Sequence, residues 1–130
     1  MWERLLNFID NLRTRTVWDR HGKLRYLRER EPNLGACSIE GISSEETARS
    51  LALFCDAFDI PESQSSCLRL TDHIRDIYDA MTTWLTDDLE MERLLLNLQE
   101  QIKRPVTEEE QQKLQTIEDL IRFLHTNSVN

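Results

Sequence analysis

Apolar side chains recur at helical spacing along most of the chain, and polar capping signatures punctuate them. Trp2, Leu5, Leu6, Ile9 and Leu12 share one stripe, which predicts a helix over residues 2–13. Ala48, Leu51, Ala52, Cys55 and Phe58 give a core face to a helix over 44–58, opened by a Ser43/Glu46 capping box. Ile74, Ile77, Tyr78, Met81 and Leu85 predict a third helix over 71–85. Met91, Leu94, Leu95, Leu98 and Ile102 mark a fourth over 87–103, capped by Asp87 with Glu90 and ended by Pro105. Thr107 with Glu110 opens a short helix over 107–113, and Thr116 with Asp119 opens a last one over 117–125. That final helix carries Ile117, Leu120, Ile121 and Leu124 on one face.

Between the first two stripes, residues 14–42 are the least regular part of the chain. Pro32 to Ile42 reads as a loop with Gly35 and Gly41 as turn residues, and Glu62 to Ser66 as a second, polar loop. With 130 residues, three Gly and three Pro, the composition suits one all-α domain, a small bundle of five or six short amphipathic helices. It divides into an N-terminal helix and basic irregular segment (1–42), an acidic helical body (43–125) and a short disordered tail (126–130).

The body carries a faint internal repeat. A shift of 44 positions places Ser44 over Asp88, Glu46 over Glu90, Arg49 over Arg93, Leu51 over Leu95 and Pro61 over Pro105. Both halves then reach a Thr-led amphipathic helix, at Thr71 and at Thr116.

The segment 86–124, TDDLEMERLLLNLQEQIKRPVTEEEQQKLQTIEDLIRFL, resembles the second half of an acyl carrier protein. Thr116-Ile117-Glu118-Asp119-Leu120-Ile121 is similar to the fourth-helix signature of that family, and Val106 to Leu114 stands where its short third helix belongs. The resemblance implies carrier-like packing of the C-terminal half and a charged second helix presented to partner enzymes. In the family an Asp-Ser-Leu turn opens the second helix, and its serine carries a phosphopantetheine arm. Asp88 occupies the serine position here, so this turn cannot take the arm by phosphodiester chemistry. Through the repeat, Ser44 becomes the alternative attachment point, although Glu45 replaces the leucine and the preceding Asp is missing. The competing role for Ser43 and Ser44 is simple helix capping.

Charge separates the two ends. Residues 1–30 hold eight Lys/Arg against four Asp/Glu, whereas residues 31–130 hold eight against twenty, within a net charge of −8. A body so acidic repels nucleic acid and attracts basic protein surfaces. Arginines interleaved with Trp18 and Tyr26 are read as an amphipathic segment answering that body, rather than as a nucleic-acid surface. No run approaches the ~18 apolar residues of a membrane span, and the N-terminus lacks a secretory h-region, so a cytoplasmic location is expected.

Catalytic and metal chemistry have little footing. Cys37, Cys55 and Cys67 form no C-x-x-C pair, and His21, His73 and His125 supply no ligand pairs for zinc. Cys55 is expected in the core and His73 on the surface. The clustered carboxylates Asp87, Asp88, Glu90 and Glu92, and the run Glu108-Glu109-Glu110, stand in first helical turns, where the helix dipole favours them. Together they form the expected face for a basic partner. The expectation is a non-catalytic, acidic protein-interaction module with degenerate carrier-like character and no cofactor. A carrier modified at Ser44 and a small acidic immunity, antitoxin or chaperone-type inhibitor are the alternatives.

Overall fold

The computed structural model describes residues 27, 29–33, 35–81 and 89–128. The helix expected at 2–13, Trp18, Tyr26 and the Asp87-Asp88 turn lie outside them. Among the described residues the chain is helical, with no strand and one isolated antiparallel bridge, His73 to Thr116. The elements in order are α1 (Ser44–Ala57), a 3-10 helix (Glu62–Cys67), α2 (Ile74–Met81), α3 (Leu89–Ile102), α4 (Glu108–Lys113) and α5 (Ile117–Asn127). This is a small all-α bundle, as the periodicity predicts.

α1 packs on α3, α5 and the 3-10 helix, and α3 also packs on α5. Their shared core is continuous. Phe54 stacks on Phe58 at 4.5 Å between ring centroids, and Phe58 meets Tyr78 edge-on at 6.5 Å. Leu94, Leu98 and Ile102 from α3 and Ile117, Leu120, Ile121 and Leu124 from α5 complete it. Each such side chain contributes about 1.5–3 kcal/mol by leaving water, so this cluster is what holds short helices that would melt alone.

Two units of one plan make up the body. α1 and α3 are each 14 residues long, and each connector holds a six-residue helical segment. α1 is followed by Asp59 at φ 54° and α3 by Lys103 at φ 63°, left-handed positions 44 residues apart. A left-handed residue lets the chain reverse over the helix end. Ile60 N–H donates to Cys55 O at 2.9 Å, and Lys103 N–H to Gln99 O at 2.8 Å. A proline follows two residues after each, barring continuation of the helix. The connectors meet through the bridge, where Ile74 N–H donates to Gln115 O (2.9 Å) and Ile117 N–H to Asp72 O (3.0 Å). From Leu89 onward, helices of 14, six and 11 residues follow one another, and the first unit runs 14, six and eight among the described residues.

Several expectations are corrected. Glu62–Cys67 is a 3-10 helix rather than a loop, closed by Gln64 N–H to Pro61 O and Leu68 N–H to Ser65 O. α2 begins at Ile74 instead of Thr71, because Leu70 and Asp72 spend their carbonyls on the opposite connector. α5 continues to Asn127, whose side-chain amide bonds Phe123 O while its Oδ1 accepts from Arg104, so Thr126 and Asn127 are not a tail. The buried face of α1 runs through Thr47, Ser50, Phe54, Cys55 and Ala57; Ala48 is exposed and Leu51 only half-buried. Thr47 satisfies its hydroxyl by donating to Ser43 O at 3.1 Å.

The irregular segment is also structural. Leu27, Cys37 and Ile39 enter the core, and Gly41 turns the chain into α1 at φ 88°, where a side chain would be strained. Arg30 grips Asp72 in a bidentate pair at 2.7 and 2.8 Å and donates to Cys67 O at 3.0 Å. Asp72 is buried and takes a third bond from Arg69 N–H at 2.8 Å. One arginine of the basic segment thus serves the fold.

Candidate functional site

The expected acidic face resolves into carboxylates with different duties. Asp87 and Asp88 lie outside the described residues. Glu90 is half-buried, and its Oε2 has no hydrogen-bond partner among the described residues. Glu92 is exposed on α3, as is Glu100. Glu108 and Glu109 are exposed in the first turn of α4, Glu109 facing Lys113 at 3.5 Å. Glu110 is engaged by the fold. Its carboxylate accepts two bonds from Arg104, both 2.8 Å, and one from Thr107 N–H at 3.0 Å. Those bonds, Arg104's first, hold its pKa down to about 2. The carboxylates left for a partner are therefore Glu92, Glu100, Glu108 and Glu109.

Sequence patterning overlooks two leucines beside them. Leu89 is 52% exposed and Leu96 59% exposed. With Glu92 between them they fall at i, i+3 and i+7, on the side of α3 opposite Leu94, Leu98 and Ile102. The signal available in sequence was their position off the α3 stripe.

Ser44 is the first residue of α1 and is exposed, but Ser43 is the cap, accepting from Glu46 N–H at 3.2 Å. Ser44 borders a groove of about 140 Å³ with Cys37, Thr47, Ala48, Leu51 and Leu68. The groove holds no cation, and Ser44 lacks the flanking Asp and Leu of the carrier turn. The expected Ser43/Glu46 capping box is only half formed, because Glu46 does not reach back to its cap. Its Oε2 instead lies 2.6 Å from His125 Nδ1 on α5.

The three thiols are buried and free. Burial pushes Cys37 up to about 11 and Cys55 up to about 12, so both stay protonated near neutrality. Cys55 sits in the core and His73 on the surface, as expected. Among the described residues no group of three or more His, Cys, Asp or Glu is placed to hold a metal ion. No described helix is long and apolar enough to cross a membrane.

A second opening lies where α1, α3 and α5 converge. It encloses about 180 Å³ and is lined by Glu46, Arg49, Ser50, Leu53, Gln101, Leu124, His125 and Ser128. Its apolar wall is Leu53 and Leu124, and its rim is polar. On the other side of the α1–α3 contact, Arg93 binds Asp59 through both guanidinium nitrogens, at 3.3 and 2.9 Å, and Asn97 bonds Leu53 O and Asp56. That Asp59 hydrogen bond is the leading cause that raises the Arg93 pKa.

No family model, curated protein or solved structure matches this chain.

Proposed function

We propose that this protein is a non-catalytic interaction module whose acidic helical body binds a basic partner protein. The observation that carries the proposal is the α3 face on which exposed Leu89 and Leu96 flank Glu92. Exposed large apolar side chains among carboxylates suit a partner that brings apolar residues ringed by Lys or Arg. Glu100 lies farther along the same helix, and Glu108 and Glu109 on α4 add to the acidic field. The leucines supply area to bury and the carboxylates steer the approach. A cytoplasmic setting, in which reduced thiols persist, belongs to the same proposal.

The test is affinity capture with wild type and the double variant Glu92→Arg/Leu96→Ala, followed by crosslinking from α3 and α4. The expected result is a lysine- or arginine-rich partner peptide crosslinked to Glu92, Glu108 or Glu109. Its capture should weaken at least tenfold between ~50 and ~500 mM salt, and in the double variant. Salt-insensitive capture, or capture of nucleic acid alone, would overturn the proposal. Co-expression with a phosphopantetheinyl transferase covers the carrier alternative. No mass gain is expected, and a gain abolished by Ser44→Ala would replace the module with a carrier.

A further inference from the structure

We propose that the cleft between α1, α3 and α5 is a binding site for a small carboxylate with a compact apolar body, Arg49 being its charged anchor. The pseudo-symmetry of the two units carries the inference. Arg49 of α1 and Arg93 of α3 are equivalent positions of the 44-residue repeat. Arg93 reaches across to the left-handed residue that ends α1 and finds the carboxylate of Asp59 there. The equivalent residue ending α3 is Lys103, also left-handed at φ 63°. Arg93 thus finds an internal carboxylate at its end of the α1–α3 contact, whereas the residue equivalent to Asp59 after α3 is a lysine and offers Arg49 none.

The cavity lies at the Arg49 end of that contact. Arg49 lines it with Gln101 from the last turn of α3, and neither side chain has a hydrogen-bond or ion-pair partner among the described residues. Guanidinium groups bind carboxylates through two parallel N–H···O bonds, as Arg93 does here. Ser50, 5% exposed on the buried face of α1, and Ser128 add hydroxyls at the cleft wall. The lining holds one carboxylate, Glu46, which is tied to His125 at 2.6 Å. Leu53 and Leu124 form the apolar wall, and a volume of about 180 Å³ suits a single ring rather than a long chain. The ligand class is therefore a ring-sized monocarboxylate.

Benzoate is the probe, with benzamide as its neutral counterpart, titrated into the full chain under amide-resolved NMR. Saturable shifts are expected at Ser50, Leu53, Gln101, Leu124 and Ser128, with benzoate at least tenfold tighter than benzamide. Arg49→Gln, on an exposed position that leaves the spectrum dispersed, should weaken benzoate at least tenfold. Equal binding of the two probes, unchanged benzoate affinity in Arg49→Gln, or no saturable shift by ~10 mM benzoate would each overturn the proposal. Capture of a basic partner is read independently, because Arg49 does not belong to the α3 face.

Discussion

Asp72 and Glu110 look alike in sequence, yet the fold uses them differently. Asp72 is buried under Arg30 and Arg69, with three donors on its two oxygens. Removing its charge takes the bidentate carboxylate from Arg30 at a part-buried site and the acceptor from Arg69 N–H. Asp72→Ala should therefore cost about 3 kcal/mol in urea unfolding. Glu110 has its pKa lowered to about 2 by Arg104 and Thr107. A lowered pKa stabilises the fold above the unfolded-state value of ~4.3, and that stabilisation fades as pH falls through about 2. Glu110→Gln should lower Tm at pH 7, and its deficit relative to wild type should shrink steadily between pH 4 and pH 2. A deficit unchanged with pH would place the effect in packing instead of charge.

Helix ends explain how much was readable beforehand. Thr107/Glu110 and Thr116/Asp119 were legible as capping boxes, and both are complete, with side chain and backbone bonds in each direction. Ser43/Glu46 looked equally good, but its carboxylate is taken by His125, 79 residues away, and a local signature cannot register a distant competitor. The same limit hid the α1 face. Periodicity marked Ala48 and Leu51, but the residues buried on that turn are Thr47 and Ser50. The Arg49 cleft was half visible, since the repeat aligned Arg49 with Arg93 but could not show that only Arg93 meets a carboxylate. Because Thr116 is half-buried while Ser43 is exposed, the two caps should differ in effect. Thr116→Ala should cost about 1–2 kcal/mol and Ser43→Ala nearer 0.5–1 kcal/mol by chemical denaturation.

For the molecule as a whole, stability rests on one shared core rather than on the helices one by one. Leu98 has no solvent exposure and lies in the cluster with residues of α1, α2 and α5. Leu98→Ala should lose about 3–4 kcal/mol in a single cooperative transition. Two separate transitions would mean that the two units unfold independently. Surface ion pairs such as Arg75–Asp79 and Arg122–Glu118 are solvated and add little, so stability should respond weakly to salt while partner capture responds strongly.

The His73–Thr116 bridge also sets a clock on the backbone. The Ile74 and Ile117 amides donate only across the two connectors, so solvent deuterium reaches them only when the connectors part. Both should exchange late and together, at the rate of global opening, while the amides of α4, a six-residue helix with no buried residue, exchange early through local fraying. Two peptide hydrogens 43 residues apart would then share one lifetime.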